Sequence, residues 1–205
     1  MMVLVTGGAS SGKSAFAEHV ALSLPGPHIY AATMRHGDGE TEARIARHRA
    51  MREGKGFETV ELADGVEPPN RLSRAATKCR RSGSEDCFSE RSERVPQLLR
   101  RNEERLARAW RDGGSTPSAT PGTVLLEDLG NLVANGLEDR LGDVLAFENA
   151  VIVANEVGCD GMRYDGFTMQ YIRDLGSLAC SLAARSDVVV EVVAGVPNVV
   201  KGELP

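Results

Sequence analysis

The sequence predicts an α/β protein: a three-layer fold with a mostly parallel β-sheet and a short antiparallel edge. Short apolar runs alternate with longer amphipathic stretches, which is the order of elements in βαβ units. A glycine-rich loop at 7–14 separates the first apolar run from the first amphipathic stretch, as in folds that bind phosphate groups. The 205 residues suffice for one domain with a sizeable core, so we expect a single domain over 1–205.

The first third of the chain is predicted to hold three strands and two helices. The strands are short runs of apolar and β-branched residues, and the helices have apolar residues at helical spacing. Pro25 and Pro27 break the chain after the first helix, and Gly54 and Gly56 end the second. The predicted elements are a strand at 3–5, a helix at 15–24, a strand at 28–33, a helix at 40–53 and an edge strand at 57–62.

The rest of the chain is predicted to begin with an atypical insertion at about 63–122 and then to resume the core. Much of the insertion lacks periodicity, and it ends in a stretch rich in Gly, Ser, Thr and Pro. Buried strands follow at 123–127 and 151–155, with one helical stretch through Phe147 between them. A helix at 169–185, a core strand at 187–194 and a short antiparallel edge at 198–201 complete the prediction.

Composition and charge argue against several classes of protein. The net charge of −5 argues against nucleic-acid binding, although a basic segment at 71–111 holds half of the 24 lysines and arginines. No apolar run approaches the length of a membrane span, and we expect no signal peptide, because Val3 already belongs to the first predicted strand. The four cysteines show neither a Cys-x-x-Cys pair nor a zinc-ligand spacing, which favours free thiols in the cytoplasm.

The loop at 7–14 matches the P-loop pattern G-x-x-x-x-G-K-[ST], with Gly7, Gly12, Lys13 and Ser14 at its fixed positions. Glycines let backbone N–H groups curl around phosphate oxygens, and the following helix points its N-terminus at the same anion. Lys13 is expected to neutralise charge on the β- and γ-phosphates during catalysis, and the Ser14 hydroxyl to bind Mg²⁺. The alternative is a plain glycine-rich turn, but the flanking strand and helix favour a nucleoside triphosphate site.

Acidic residues end two of the predicted buried strands. Glu127 and Asp128 occupy the position of the metal-side acid in P-loop enzymes, so we predict that they bind Mg²⁺ together with Ser14. Glu156 has the same placement after the next strand. The alternative interpretation is that these strands simply end in solvated acids.

An arginine-rich helix is the second candidate for chemistry. Arg44, His48 and Arg52 recur every four residues, so they share one face of the helix. A histidine between two cations is expected to stay neutral, and a neutral imidazole is a nucleophile near phosphates held by arginines. Spacing alone leaves the alternative of a solvated helix face, which is the more common role of such residues.

These residues together resemble a known family, the bifunctional cobinamide kinase / cobinamide-phosphate guanylyltransferases of adenosylcobalamin assembly. The resemblance covers about 1–62 and 123–202, and its pieces occur in order along the chain. They are Leu-Val-Thr-Gly-Gly-Ala-Ser-Ser-Gly-Lys-Ser (4–14), Tyr-Ala-Ala-Thr (30–33), Ala-Arg-Ile-Ala-Arg-His-Arg (43–49), Thr-Val-Glu (59–61), Leu-Leu-Glu (125–127), Asn-Glu-Val-Gly (155–158), Arg-Asp-Leu-Gly (173–176) and a final Val-Val-Ala-Gly-Val-Pro.

The resemblance implies a P-loop fold of the RecA type, assembly as a homo-oligomer such as a trimer, and two reactions on a corrinoid. ATP or GTP first phosphorylates the aminopropanol hydroxyl of adenosylcobinamide. An enzyme histidine, which falls on His48, then attacks the α-phosphate of GTP and releases pyrophosphate. The GMP passes to the cobinamide phosphate and gives adenosyl-GDP-cobinamide.

The resemblance also implies a set of nucleotide contacts, which the P-loop pattern shares in part. They fall on Thr6, Gly7, Gly8, Ala9, Ser10, Ser11, Gly12, Lys13, Ser14, Ala32, Thr33, Met34, Arg49, Ala50, Met51, Arg52, Glu61 and Glu127. The insertion at 63–122 departs from the family, as does Phe57, where a tryptophan is common. Two other functions stay open: a P-loop kinase of another small alcohol without a covalent step, and a nucleotide-gated binding module in which 71–111 docks a partner.

Overall fold

A computed structural model describes residues 1–34, 39–62 and 120–205, excluding the side chains of Glu40, Thr41, Arg44, His48, Met51 and Asp139. The basic segment at 71–111 and all but the last three residues of the predicted insertion lie outside the described residues. The described residues form an α/β fold built on one mostly parallel sheet, which confirms the predicted fold class.

Seven strands form the sheet in the order β3-β2-β4-β5-β1-β6-β7. The strands are β1 Met2–Gly7, β2 His28–Ala32, β3 Phe57–Glu61, β4 Thr120–Glu127, β5 Phe147–Asn155, β6 Val188–Val193 and β7 Val196–Lys201. Each pairing is parallel except that of β6 with β7, so the predicted antiparallel edge is confirmed. Pro197 lies in this edge strand, where a missing backbone N–H is tolerated.

Helices cover both faces of the sheet. They are α1 Lys13–Ser23, α2 Gly39–Arg52, α3 Leu129–Ala134, a 3₁₀ turn Glu138–Arg140, α4 Leu141–Val144 and α5 Gly166–Arg185. Helix α1 packs on one face through Ala17, Val20 and Ala21. Helices α3, α4 and α5 pack on the other, where α5 contributes Leu175, Leu178 and Leu182 at helical spacing.

The largest differences from the prediction concern two regions, and helix α5 also begins at Gly166 rather than at 169. The single helical stretch predicted to reach Phe147 is wrong: Gly136 adopts φ 67 and ends the first helix, two short turns follow, and Phe147 begins β5. The predicted linker also ends earlier, because β4 begins at Thr120 and pairs with Phe147. The glycine-rich composition suggested a linker, but Gly122 (φ 107) lies in β4, where the backbone of Pro27 leaves no room for a Cβ.

The parallel strands bring the predicted site residues to one edge of the sheet. Glu127 lies beside Ala32 in the register of β2 and β4, and Asn155 lies beside Gly7 in the register of β1 and β5. Because the carboxyl ends of parallel strands meet at this edge, ligands of such folds bind there. The P-loop, the strand-end acids and the end of β2 therefore share one rim.

Candidate active site

The P-loop lies between β1 and α1, as predicted. Lys13 is the first residue of the helix and is 6% exposed, and its Nζ donates a hydrogen bond to the Gly8 carbonyl at 3.0 Å. Among the described residues no side chain caps the N-terminus of α1, where Gly12 stands with φ 91. Uncapped backbone N–H groups at a helix N-terminus, next to a buried lysine, have the chemistry that phosphate groups require.

The hairpin turn between β6 and β7 supports this loop from one side. The Gly195 N–H donates to the Ser11 carbonyl at 2.8 Å. A Cβ on Gly7 would lie 2.5 Å from the Val192 carbonyl oxygen, and a Cβ on Gly12 would lie 3.3 Å from the Gly195 Cα. Glycine is therefore required at Gly7 for close backbone approach. The hydroxyl of Ser11 is buried without a hydrogen-bond partner among the described residues, which leaves it available to a phosphate oxygen.

Glu127 and Asp128 point into different surroundings. Glu127 accepts a hydrogen bond from the Tyr30 hydroxyl, on the face of the sheet that carries α1. Asp128 is the N-cap of α3: one carboxylate oxygen accepts from Asn131 N–H at 2.5 Å and the other from Asn155 Nδ2 at 2.6 Å. Burial, followed by the charge of Glu127, raises the pKa of Asp128, while the hydrogen bond from Asn131 N–H and then the charge of Lys13 oppose this shift.

The predicted Mg²⁺ ligands share suitable chemistry. Ser14 and the two acids supply oxygen atoms, the ligands that Mg²⁺ prefers, and Mg²⁺ commonly takes one or two carboxylates together with substrate phosphates. Among the described residues no three His, Cys, Asp or Glu side chains group to hold a metal ion. The oxygen chemistry of the three residues fits an ion bound together with the triphosphate, and of the two acids Asp128 is the one that caps α3.

Thr33 and Thr6 use their hydroxyls within the protein. Thr33 is fully buried, and its hydroxyl accepts from Asp128 N–H at 3.0 Å and lies 3.0 Å from the Glu127 carbonyl. Thr6 donates to Glu156 Oε1 at 3.0 Å, so this acid lies at the rim beside the P-loop strand. The Thr33 carbonyl also accepts from Asn135 Nδ2 at 2.9 Å, so Thr33 and Thr6 brace the strand ends.

The arginine-rich helix α2 includes the backbone of His48, as predicted. Two of its arginines have partners: Arg49 forms an ion pair with Glu61 at 2.6 Å, and Arg52 lies with its guanidinium carbon 3.4 Å from the centroid of the Tyr30 ring. Ala50 is exposed. The side chains of Arg44, His48 and Met51 lie outside the described part of the structure, so the predicted stacking of Arg44 and His48 stays a prediction.

Predicted nucleotide contacts from four elements line one small cavity between α2 and the sheet. These are Ala32, Thr33, Met34, Arg52, Glu61 and Glu127. Tyr30 and Ile45 complete the lining and were missed by the sequence analysis. The P-loop lies at the same rim but on β1, two strands away from β4, and it does not line this cavity.

A larger cavity of about 300 Å³ opens on the opposite side of β2 and β3. Its lining is largely apolar and includes Ile29, Val60 and Phe147. Of the predicted nucleotide contacts it shares only Glu61 with the small cavity. Within the described ranges no helix is both long and apolar enough to cross a membrane.

A strand, a P-loop with a buried lysine and strand-end acids at one rim define a P-loop nucleotide-binding protein of the α/β class. The family model described as cobinamide kinase / cobinamide phosphate guanyltransferase matches residues 3–80. The bifunctional adenosylcobalamin biosynthesis protein CobP of Pseudomonas aeruginosa is 30% identical over 203 residues, which cover 99% of each chain. The chain therefore belongs to the cobinamide kinase / cobinamide phosphate guanyltransferase family, and it is a nucleotide-dependent transferase of cobalamin biosynthesis.

Proposed function

We propose that the chain carries out two successive transfers at one nucleotide site. The γ-phosphate of ATP or GTP passes to the aminopropanol hydroxyl of adenosylcobinamide, and GMP from GTP then passes through His48 to the cobinamide phosphate. The observation that carries this proposal is the shared rim at the carboxyl ends of the parallel strands. The P-loop with the buried Lys13 follows β1, and the predicted contacts Ala32, Glu61 and Glu127 end β2, β3 and β4 next to α2, the helix that includes the backbone of His48.

The P-loop serves the first transfer. Its backbone N–H groups and Lys13 hold the β- and γ-phosphates, and Lys13 neutralises the charge that develops as the γ-phosphate leaves. Mg²⁺ supplies further charge neutralisation on the phosphates when it is bound, and Ser14, Glu127 and Asp128 are the residues that would hold it. Asp128 would do so while keeping its role as the cap of α3.

His48 serves the second transfer as a nucleophile. A ring nitrogen of His48 forms a bond to the α-phosphorus of GTP, and the bond to the pyrophosphate oxygen breaks. An oxygen of the cobinamide phosphate then displaces the histidine nitrogen. The neighbouring Arg49 is paired with Glu61, so we expect this ion pair to open or to present its remaining donors when the nucleotide binds.

Several further properties belong to this proposal. We propose a corrinoid substrate, a cytoplasmic location, a homo-oligomer such as a trimer, and one domain over 1–205 interrupted by the insertion. The resemblance to the family supports the oligomer and the substrate, and the free cysteines support the compartment: Cys159 and Cys180, those among the described residues, carry no disulfide.

Corrinoid turnover that follows each nucleotide product separately tests this function. The protein is incubated with adenosylcobinamide and either ATP or GTP, and ADP, GDP and pyrophosphate are measured. We expect one nucleoside diphosphate for each corrinoid phosphorylated, and one pyrophosphate for each GMP transferred. Diphosphate release without pyrophosphate would favour the simple kinase, and nucleotide binding without corrinoid turnover would favour the binding module. The Lys13→Met variant is the control for contaminating nucleotidases.

A further inference from the structure

Tyr30 contacts two elements of the proposed nucleotide site, helix α2 and strand β4. It lies in the middle of β2 and is 2% exposed. The guanidinium of Arg52 lies over one face of its ring, 3.4 Å from the centroid, and its hydroxyl donates a hydrogen bond to the Glu127 carboxylate. One side chain thus joins the C-terminal end of α2 to the end of β4.

The ring of Tyr30 provides a specific position for the Arg52 cation. Arg52 is 7% exposed, and its Nε is buried without a hydrogen-bond partner among the described residues. A buried cation needs a compensating partner, and attraction between a cation and an aromatic face is strongest where water is excluded. Phe57 packs against the Tyr30 ring edge-on, with centroids 6.2 Å apart and planes at 79°, which fixes the ring in this orientation.

The hydroxyl of Tyr30 donates a hydrogen bond to a carboxylate. Its acceptor is Oε2 of Glu127, and the contact is partly buried. A hydrogen bond to a charged acceptor is among the stronger kinds in proteins.

We propose that Tyr30 is a positioning residue that ties helix α2, through Arg52, to the carboxylate of Glu127. The inference rests on the proposed function, because its purpose is to hold the helix that includes His48, one turn before Arg52, in a fixed relation to the nucleotide end of β4. A misplacement of about 1 Å between reacting groups costs on the order of 10²-fold in rate.

Single-turnover guanylylation with α-labelled GTP tests the proposal with Tyr30→Leu, Tyr30→Phe and Tyr164→Phe. Tyr30→Leu removes both contacts, and we expect the rate constant at saturating GTP to fall on the order of 10²-fold. Tyr30→Phe keeps the ring under Arg52 and loses only the donor to Glu127, so we expect a loss of about tenfold. The GTP concentration at half-saturation should change less than about threefold in both, because a positioning residue acts on the rate.

Tyr164→Phe is the matched control, because its phenol also donates to a carboxylate, that of Asp160, on an exposed loop. It should react like the wild type. Arg52→Lys keeps a cation over the ring and should retain more activity than Arg52→Met. The double variant Tyr30→Leu/Arg52→Met should react about as fast as the slower of the two single variants. Both substitutions break the same connection, so their effects should not add.

Hydrogen exchange of the α2 amides separates this proposal from the proposed function. If the wild type takes up no GMP, the guanylyl transfer is wrong, and exchange decides the role of Tyr30. We expect Tyr30→Leu to accelerate exchange in α2 by about tenfold or more and to leave α5 unchanged. Unchanged exchange in α2, or a loss confined to GTP half-saturation, would overturn the proposal. If Tyr30→Leu does not fold, Tyr30→Phe and the two Arg52 variants give the decision by the same measurements.

Discussion

Replacing Thr33 with valine tests how the ends of β2 and β4 are held together. The Thr33 hydroxyl accepts from the Asp128 N–H at 3.0 Å, and its own proton faces the carbonyls of Glu127 at 3.0 Å and Asp128 at 3.2 Å. A hydroxyl has one proton, so it donates to one carbonyl at a time. Valine has nearly the same shape but can make neither contact.

The expected cost follows from the group that loses its partner. In Thr33→Val the Asp128 N–H stays partly buried and unpaired, which costs about 1–2 kcal/mol in the free energy of unfolding. For a chain of 205 residues each kcal/mol lowers the Tm by about 2–4 °C, so we expect a fall of about 2–8 °C. The displaced strand end should also weaken GTP binding, because Glu127 and Asp128 end the same strand.

Thermal and urea unfolding followed by circular dichroism measure this change. Thr59→Val is the matched control, since it makes the same substitution at an exposed position of β3 and should stay within about 0.5 kcal/mol of the wild type. A Thr33→Val protein as stable as Thr59→Val, with unchanged GTP affinity, would refute the view that this hydroxyl braces the site.

Three further predictions concern the loop and a helix cap. Lys13→Met should abolish product formation from both ATP and GTP while the folded circular dichroism spectrum is retained; retained activity would contradict the role of this buried lysine. Gly7→Ala should destabilise the protein and weaken nucleotide binding measured by titration, because its Cβ would lie 2.5 Å from the Val192 carbonyl oxygen. Gly39→Ala is the control: among the described residues its Cβ would meet no atom within 4 Å, so it should have little effect. Hydrogen bonds from Thr168 lower the pKa of Asp165, so its contribution to stability is present above the ordinary value of 3.8 and is lost as pH falls below it. The free energy of unfolding should therefore fall less between pH 7 and pH 3 in Asp165→Asn than in the wild type. An equal fall in both proteins would contradict this expectation.

Much of the layout of the site could be predicted from the sequence. The strand–loop–helix around Lys13 and the acids after β4 were predictable, because the P-loop spacing and the strand-end rule fix where these residues lie in a parallel sheet. Asp128 also had a readable second role. It immediately precedes the apolar stretch of α3, and Asp is a residue type that N-cap positions favour; the structure shows that it caps α3.

Tyr30 and Arg52 mark the limit of such reasoning. The sequence places Arg52 on the His48 face of α2, but which strand this face meets depends on how the helix crosses the sheet, and no local pattern encodes that crossing. Tyr30 reads only as an aromatic residue in a buried strand. Its contacts with Arg52 and Glu127 join residues distant in sequence, so they are visible only once the chain is folded.

Covalent labelling of His48 tests the central claim most directly. The protein is incubated with α-labelled GTP and Mg²⁺ without corrinoid, and label retained on the denatured chain is compared between the wild type and His48→Ala. We expect the wild type to carry acid-labile, alkali-stable label with release of pyrophosphate, and His48→Ala to carry none while still binding GTP. Equal labelling of His48→Ala, or no label on an active wild type, would contradict the claim that this histidine carries GMP.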